Sequence, residues 1–410
     1  MLIDDFDKTV RQIREEVSAR VDLSREFKDD DIKDVITKVV VEKSRSRYLN
    51  LSHKHELISA VFNSMRRLDI IQPLLDDETI TDIMVNGPDE IFIEKSGQIQ
   101  QVDLKFEDPA KLENIIQSVV AKVNRVVNEA TPIVDARLQD GSRVNVVLPP
   151  VALNGPTMTI RKFSEKPLTV EKMVEFGSLN DEAAVLLEKL VRARYNIFIS
   201  GGTGSGKTTF LNALAHFIPS QERVITIEDS AELQLRNIKN LVRLETRTAN
   251  TEGRGEITVR DLIRTSLRMR PDRIIVGEVR GTEALDMLQA MNTGHDGSLS
   301  TGHANTTRDM FSRLETMVLS AASLPVQVIQ QQIAAALDII IHLGRLRDGS
   351  RRVMEISEVA GFADGDIALN PLFQFHEEGE SDQEVIGSLK STGNRLIHTL
   401  KLKMAGVNLK

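Results

Sequence analysis

The strongest constraint on this chain is a glycine-rich stretch that lies between an apolar run and a helical pattern. Residues 196–200 form a short apolar run, and residues 210–217 place apolar side chains at helical spacing. The stretch between them fits G-x-x-x-x-G-K-[ST], whose backbone N–H groups cradle phosphates at a helix N-terminus. It consists of Gly201, Gly202, Thr203, Gly204, Ser205, Gly206, Lys207, Thr208 and Thr209. The pattern therefore predicts a strand, a phosphate-binding loop and a helix in that order.

The motif assigns chemical roles to two of its residues. Lys207 is expected to reach the terminal phosphates of a nucleotide, and Thr208 to ligate Mg²⁺. The dinucleotide fingerprint G-x-G-x-x-G is absent, because Lys207 or Thr209 stands where the third glycine belongs. We therefore expect a nucleoside triphosphate with Mg²⁺, and not a dinucleotide.

Composition limits the classes to which the chain can belong. At 410 residues it is expected to hold two or three domains, and it contains no cysteine for disulfides or thiolate metal sites. No apolar run approaches 18 residues and no signal-peptide pattern opens the chain, which favours a cytoplasmic protein without a membrane span. The net charge of −8, with no tryptophan and two tyrosines, argues against general binding to nucleic acid or anionic lipid.

The pattern of apolar residues changes twice along the chain. Residues 1–66 are highly charged with helical spacing, residues 67–166 read as mixed α/β, and residues 169–410 alternate strands with helices. The stretch Glu165–Leu168 is a plausible linker. The near-continuous apolar strands of the last part predict a parallel sheet covered by helices.

Several local elements are predicted within these parts. In the middle part we expect a hairpin turn at 95–97, an amphipathic helix over 110–128 and an Asp-Gly turn at 140–141. In the last part, residues 339–343 and 352–359 suggest a closing hairpin.

Carboxylates stand at two strand ends of the predicted parallel sheet. Glu228 closes the strand over 224–227, and Glu278 follows the strand over 274–276. Ligands bind at the carboxyl ends of such strands, so both side chains are expected to face the phosphates. One of them would hold Mg²⁺ or its water and the other would orient the attacking water. The residues do not decide which does which.

Histidines and arginines provide further candidates. His303 follows a predicted strand of the same sheet and could sense the γ-phosphate through a hydrogen bond, whereas a metal pair with His295 lacks acidic or cysteine partners. Arginines are dense over 246–280, and either arginine fingers at an interface or a nucleic-acid groove would explain them.

These motifs occur together in an order typical of one family. The phosphate loop is followed by the stretches 226–232, 274–280 and 301–305, which resemble the Asp box, Walker B and His box of secretion-superfamily ATPases. The run 247–313, including Arg254-Gly255-Glu256, is similar to the CpaF/TadA branch, which powers Tad (Flp-type) pili. The resemblance covers roughly residues 68–360.

The resemblance implies a fold, an assembly and a set of site residues. It implies a RecA-like P-loop NTPase domain and a smaller α/β domain of PAS-like type, assembled as a homohexamer that binds ATP and Mg²⁺. By motif, Lys207 and Thr208 hold phosphate and metal, and Glu228 and Glu278 divide water activation and metal support. Arg268 matches an arginine near the active site, and two arginines of the preceding domain match positions that reach the phosphates, Arg137 and Arg143. A chain without cysteine departs from relatives that carry a four-cysteine zinc module.

The resulting hypothesis is a cytoplasmic ATPase motor that drives assembly of Tad-type pili and the associated protein secretion. The residues do not decide whether such a motor drives extension, retraction or both. It would act on the pilin machinery indirectly, through an inner-membrane platform protein, without direct contact to nucleic acid. A type IV secretion traffic ATPase is the alternative within the same superfamily. A RecA-like nucleic-acid translocase and a nucleotide-gated scaffold are the alternatives from other classes.

Overall fold

The chain divides into two compact units in the computed structural model. They comprise Met1–Glu165 and Lys166–Lys410. The structure describes residues 3–21, 28–45, 49–95, 97–123, 125–163, 168–247, 249, 253–381 and 384–408. The expected linker Glu165–Leu168 lies outside these residues except for Leu168.

The first unit begins with helices that share an apolar core. They are α1 (Ile3–Arg20), α2 (Asp29–Ser44) and α3 (Leu51–Arg66). Their apolar positions recur at three- and four-residue spacing, and Ile13, Ile36 and Val61 are fully buried between them. The Asn50 side chain begins α3 by accepting a hydrogen bond from the His53 N–H. The helical character expected of this part is thus present.

The rest of the first unit is a six-stranded antiparallel sheet with a second core. A 3₁₀ turn (Asp69–Ile71) and α4 (Gln72–Asp76) lead into it. The strand order is β3-β2-β1-β6-β5-β4, and the elements are β1 (Ile80–Asn86), β2 (Ile91–Lys95), β3 (Gln98–Val102), α5 (Pro109–Ala121), β4 (Ile133–Arg137), β5 (Arg143–Val147) and β6 (Thr157–Arg161). The expected turns between β2 and β3 and between β4 and β5 are confirmed. The helix α5 ends at Ala121, earlier than the periodicity suggested.

The second unit is built on a nine-stranded sheet of order β15-β14-β13-β12-β7-β11-β10-β8-β9. Its elements are α6 (Val170–Glu175), α7 (Asp181–Arg192), β7 (Ile197–Gly201), α8 (Lys207–Ala215), β8 (Arg223–Glu228), β9 (Asn240–Glu245), α9 (Val259–Ser266), β10 (Arg273–Val276), α10 (Glu283–Asn292), β11 (Leu299–His303), α11 (Thr307–Ala321), α12 (Val326–Ala336), β12 (Ile339–Arg345), β13 (Arg351–Ala363), β14 (Asp366–Ser381), β15 (Glu384–Ser391) and α13 (Leu400–Met404). In the described residues, no helix combines the length and apolar character needed to span a bilayer.

Part of this sheet is a parallel block, as the alternation of strands and helices predicted. In sheet order its strands are β12, β7, β11, β10, β8 and β9. Apolar clusters on its two faces are covered by helices, and β7 and β10 are buried along their whole length. The carboxyl ends of β7, β8, β10 and β11 therefore share one edge. That edge carries the candidate site.

The C-terminal part of the sheet extends beyond the expected hairpin. The hairpin of β12 and β13 is present, but β14 and β15 continue the sheet in antiparallel order. The pairs of β13 with β14 and of β14 with β15 contain register shifts, which interrupt the strict alternation of inward and outward side chains. A period-two pattern is therefore weak over 366–391.

Candidate nucleotide-binding site

The glycine-rich loop joins β7 to α8, as predicted. Gly204 and Gly206 have φ angles of 71° and 92°, in the left-handed region that glycine tolerates best. Gly206 is also the residue from which α8 begins. Successive backbone N–H groups in such a loop form a concave anion site at the positive end of the helix.

Lys207 is buried at the start of α8 and donates all its protons within the chain. Its Nζ lies 3.1 Å from the carbonyl oxygen of Gly201, 2.9 Å from that of Gly202 and 3.2 Å from Nδ1 of His303. Burial lowers the pKa of Lys207, and the charge of Glu278 opposes that shift. The ammonium group is therefore held at the mouth of the loop.

His303 connects Lys207 to Glu278. A lysine ammonium only donates, so Nδ1 of His303 accepts and Nε2 carries the proton of the neutral ring. Nε2 lies 2.8 Å from Oε1 of Glu278, a distance at which the two form an ion pair when the ring is protonated. Burial lowers the pKa of His303, which favours the neutral ring. The sequence-based expectation placed His303 after a strand, whereas it is the last residue of β11.

The residues before and after Glu278 are hydrogen-bonded to the two neighbouring strands. The N–H of Gly277 donates to the carbonyl of Ile227 on β8, and the N–H of Val279 donates to that of Thr301 on β11. Its Oε2 lies 2.9 Å from Nη2 of Arg280. Both carboxylate oxygens of Glu278 thus face a basic group.

Glu228 has a different environment, although it lies at the end of the neighbouring strand. Its side chain is buried, and Oε1 accepts hydrogen bonds from the N–H groups of Glu232 and Leu233 at 2.8 and 2.9 Å. Oε2 is buried without a hydrogen-bond partner among the described residues. Burial raises the pKa of Glu228 to about 7, against the opposing hydrogen bonds of those two N–H groups. A carboxylate with a free oxygen and a pKa near neutrality has the properties of a general base.

Gly277 leaves the space that the Glu228 side chain occupies. A Cβ atom at Gly277 would lie 2.9 Å from Cγ of Glu228, closer than carbon atoms approach in folded proteins. We expect Gly277→Ala to displace Glu228 and to lower the rate of phosphate release at least tenfold, while the affinity for ADP stays within about twofold. Steady-state phosphate release and calorimetric titration with ADP measure the two quantities. Equal activity of wild type and Gly277→Ala would show that the position of Glu228 is not needed.

The remaining motif residues line the loop. Thr208 is half-buried in the first turn of α8, and Thr203 and Thr209 are exposed. A Cβ atom at Gly202 would have no neighbouring atom within 4 Å among the described residues, so the space beside this glycine is open. The hydroxyl of Thr208 and the carboxylate of Glu278 are hard oxygen donors of the kind that Mg²⁺ takes beside a nucleotide phosphate.

The predicted arginines do not join this edge within the second unit. Arg268 is exposed and lies just after α9, shortly before the amino end of β10, whereas the phosphate loop lies at the carboxyl ends of the strands. Arg137 and Arg143 face each other as partners on β4 and β5 of the first unit. A role of these arginines toward the phosphates stays a prediction.

Two residues near the loop were missed by the sequence analysis. Nε of Arg351 donates to the carbonyl of Gly204 at 2.8 Å, and Nδ1 of His342 lies 2.8 Å from Oγ of Ser200. Both belong to the hairpin of β12 and β13, which the sequence analysis placed in the fold but not beside the loop. The Asp348-Gly349 turn between two strands was the available signal for a tight hairpin.

Comparison with known proteins identifies relatives of the whole arrangement. A family model described as type II/IV secretion system protein matches residues 65–380. A putative conjugal transfer protein of Mycobacterium tuberculosis is 37% identical over 294 residues, which cover 70% of this chain and 83% of that protein. The type IV secretion system protein VirB11 of Brucella suis is 32% identical over 320 residues, which cover 71% of this chain and 88% of that protein.

Solved structures share the fold at lower sequence identity. The pilus retraction motor PilT, solved with ADP, is similar with a TM-score of 0.53 at 20% identity, over 83% of this chain and 87% of that one. The ATPase DotB of Legionella pneumophila is similar with a TM-score of 0.50 at 22% identity, over 69% of this chain and 78% of that one. The mixed α/β fold with its two units is therefore confirmed. Since the family model and both relatives extend over most of its length, the chain belongs to the type II/IV secretion system protein family.

Proposed function

We propose that this protein is a Mg²⁺-dependent ATPase that drives a secretion or pilus machine. The observation that carries the proposal is the chain of contacts from Lys207 through His303 to Glu278, at the same sheet edge as the buried, free oxygen of Glu228. A phosphate loop alone supports nucleotide binding. Hydrolysis also requires a group that activates water and groups that stabilise the developing charge, and this edge contains candidates for both.

We infer a division of roles between the two carboxylates that the sequence left open. Glu228 is the general base, because its pKa lies near 7 and Oε2 is free to accept a proton from water. Glu278 supports the metal, because its flanking peptides are tied to β8 and β11. When bound together with the hydroxyl of Thr208, Mg²⁺ supplies positive charge to the terminal phosphates.

His303 and Lys207 link the phosphates to the metal side of the site. Lys207 is positioned to donate to phosphate oxygens in place of the Gly201 and Gly202 carbonyls. Once the Lys207 ammonium turns to a phosphate, Nδ1 of His303 loses that donor, and a protonated ring donates from Nδ1 to a γ-phosphate oxygen. Through its contact with Glu278, His303 reports the presence of that phosphate to Walker B.

At the level of the machine we propose a homohexamer on the cytoplasmic side of the inner membrane, bound to a platform protein. The run 247–313 favours a motor for Tad-type pilus assembly and retraction, because its motifs resemble that branch. The relatives named for conjugal transfer and type IV secretion favour a traffic ATPase as the second candidate. Co-purification with the platform protein of one system and not of the other separates the two.

Phosphate release by the purified chain tests the shared proposal. With Mg²⁺ and ATP we expect steady hydrolysis that falls by about 100-fold or more in Lys207→Ala, because that variant loses the cation at the phosphates. Lys239→Ala is the matched control, since Lys239 is exposed beside the amino end of β9. We expect this control to hydrolyse ATP as the wild type does.

The same assay separates the motor from a nucleic-acid translocase. We expect phosphate release to be unaffected by single- or double-stranded DNA. Strong stimulation by DNA, reduced by added salt, would replace the secretion motor with a translocase. Hydrolysis that survives Lys207→Ala would place the active site elsewhere.

A further inference from the structure

The hairpin of β12 and β13 approaches the phosphate loop from outside the motif. Arg351 begins β13, and its Nε donates to the carbonyl of Gly204 at 2.8 Å. Its Cδ lies 3.4 Å from the place where a Cβ of Gly206 would stand. Arg351 therefore contacts the loop at Gly204 and lies beside Gly206, both of which have φ angles in the left-handed region.

The hairpin that carries Arg351 is held at its turn and along its strand. The N–H of Leu346 donates to the carbonyl of Ser350, and Asp348 accepts from the N–H groups of Ser350 and Val385. These hydrogen bonds, that of Val385 foremost, lower the pKa of Asp348 to about 2. Directly after the turn, Oγ of Ser178 donates to the carbonyl of Arg351 at 2.7 Å. Arg351 thus projects from a hairpin that has hydrogen bonds of its own besides the contact with the loop.

The contact at Gly204 determines the orientation of the following N–H group. The carbonyl of Gly204 and the N–H of Ser205 belong to one planar trans peptide, in which they point in opposite directions. A donor that holds the carbonyl on the outer side of the loop therefore directs the Ser205 N–H to the inner side. With φ near 71°, Gly204 has few steric restraints of its own on this peptide.

The inner side is where the donors of the loop converge. The carbonyl oxygen of Gly202 accepts from Nζ of Lys207 at 2.9 Å, from Oγ of Ser205 at 2.9 Å and from the Ser205 N–H at 3.4 Å. The last of these is long for a hydrogen bond, so the Ser205 N–H is weakly engaged. A phosphate oxygen, which carries more charge than a carbonyl, is a better acceptor for the same group.

We propose that Arg351 is a positioning residue of the nucleotide site, which orients the Gly204–Ser205 peptide so that the Ser205 N–H donates to a nucleotide phosphate. It acts through the loop and does not touch the reacting atoms. The inference rests on the proposed nucleotide binding and adds a residue outside the phosphate-loop motif to it.

Two substitutions separate the hydrogen bond of Arg351 from its charge. In Arg351→Gln the amide nitrogen occupies the same place along the side chain as Nε, so the donor stays and the charge is lost. In Arg351→Lys the charge stays, but a carbon atom stands where Nε was. We expect the Kd for ADP, measured calorimetrically on the full chain, to rise about tenfold for Lys and less than threefold for Gln.

Arg347→Ala is the control on the same hairpin. Arg347 pairs with Glu377 and Glu380, away from the Gly204 carbonyl, and we expect its removal to leave the Kd unchanged. Melting temperatures within about 2 °C of the wild type for all variants exclude general loss of folding.

Several results would overturn the inference. An unchanged Kd in Arg351→Lys, an equal loss in Gln and Lys, or an equal loss in Arg347→Ala would each remove the role of the Gly204 contact. If the wild type itself does not bind ADP, the proposed function is wrong and this inference falls with it. If the wild type and Arg347→Ala bind but Arg351→Gln does not, only the inference is wrong.

Discussion

Glu228→Gln is expected to reduce phosphate release by roughly 10²–10⁴-fold and to leave the affinity for ADP within about twofold of the wild type. Gln keeps the oxygen that accepts from the N–H groups of Glu232 and Leu233, so the local backbone is retained. It removes the basic oxygen that would take a proton from water. Steady-state phosphate release and calorimetric titration of the same preparation measure both effects.

The matched control is Glu245→Gln. Glu245 pairs with Glu228 across the neighbouring strand β9 but is exposed, so we expect nearly wild-type hydrolysis from it. If Glu228→Gln hydrolysed ATP normally and Glu278→Gln did not, the two carboxylates would have exchanged roles.

The same substitution carries a prediction about pH and stability. The pKa of Glu228 is about 7 in the folded chain against 4.5 for the ordinary group, so the folded state binds the extra proton between those values. The contribution of Glu228 to the free energy of unfolding is therefore fully present below pH 4.5. It falls by about 3 kcal/mol as the pH rises through 7. Since Gln does not ionise, Glu228→Gln should melt several degrees above the wild type at pH 8 and close to it at pH 5. Calorimetric scans at the two pH values provide the test, and a melting difference that does not change with pH would show that Glu228 ionises normally.

The second large effect concerns Arg273, a fully buried charge at the amino end of β10. Nε of Arg273 donates to Glu222 at 2.5 Å, and Nη1 donates to the carbonyl of Val191 at 2.7 Å. In Arg273→Ala, the buried carboxylate of Glu222 and the Val191 carbonyl each lose a hydrogen-bond donor. We expect a loss of about 3–5 kcal/mol, which lowers the melting temperature by roughly 10 °C.

Arg192→Ala provides the comparison for an exposed ion pair. Arg192 pairs with Glu188 at 2.9 Å, and their side chains are 58% and 36% exposed. Its removal should cost less than about 0.5 kcal/mol. Equal melting temperatures for Arg273→Ala and Arg192→Ala would show that the buried ion pair contributes no more to stability than the surface pair.

The parallel block and its site edge could be predicted because their signals are local. The apolar run before Gly201, the glycines of the loop and the helical spacing after Lys207 define a strand, a loop and a helix without tertiary information. Alternation of such units implies a parallel sheet, and a parallel sheet brings Glu228 and Glu278 to one edge.

The division of labour at that edge could not be predicted, since it depends on groups distant in the sequence. The free oxygen of Glu228 results from the direction of the Glu232 and Leu233 N–H groups and from the missing side chain of Gly277. Arg351 reaches Gly204 only because β13 turns back along β12 beside the loop. Such contacts are set by strand order and register, which no local pattern encodes.

The contacts of Lys207 bear on the rate of the proposed hydrolysis cycle. Its ammonium group has carbonyl and imidazole acceptors inside the chain, so capture of a nucleotide exchanges one set of acceptors for another. The free energy that Lys207 contributes to nucleotide binding is then smaller than it would be for an ammonium group with no acceptors before binding. When the spent nucleotide leaves, the same acceptors receive the ammonium group again, and no buried charge is stranded. A loop of this kind favours rapid product release over tight retention, which suits the proposed ATPase.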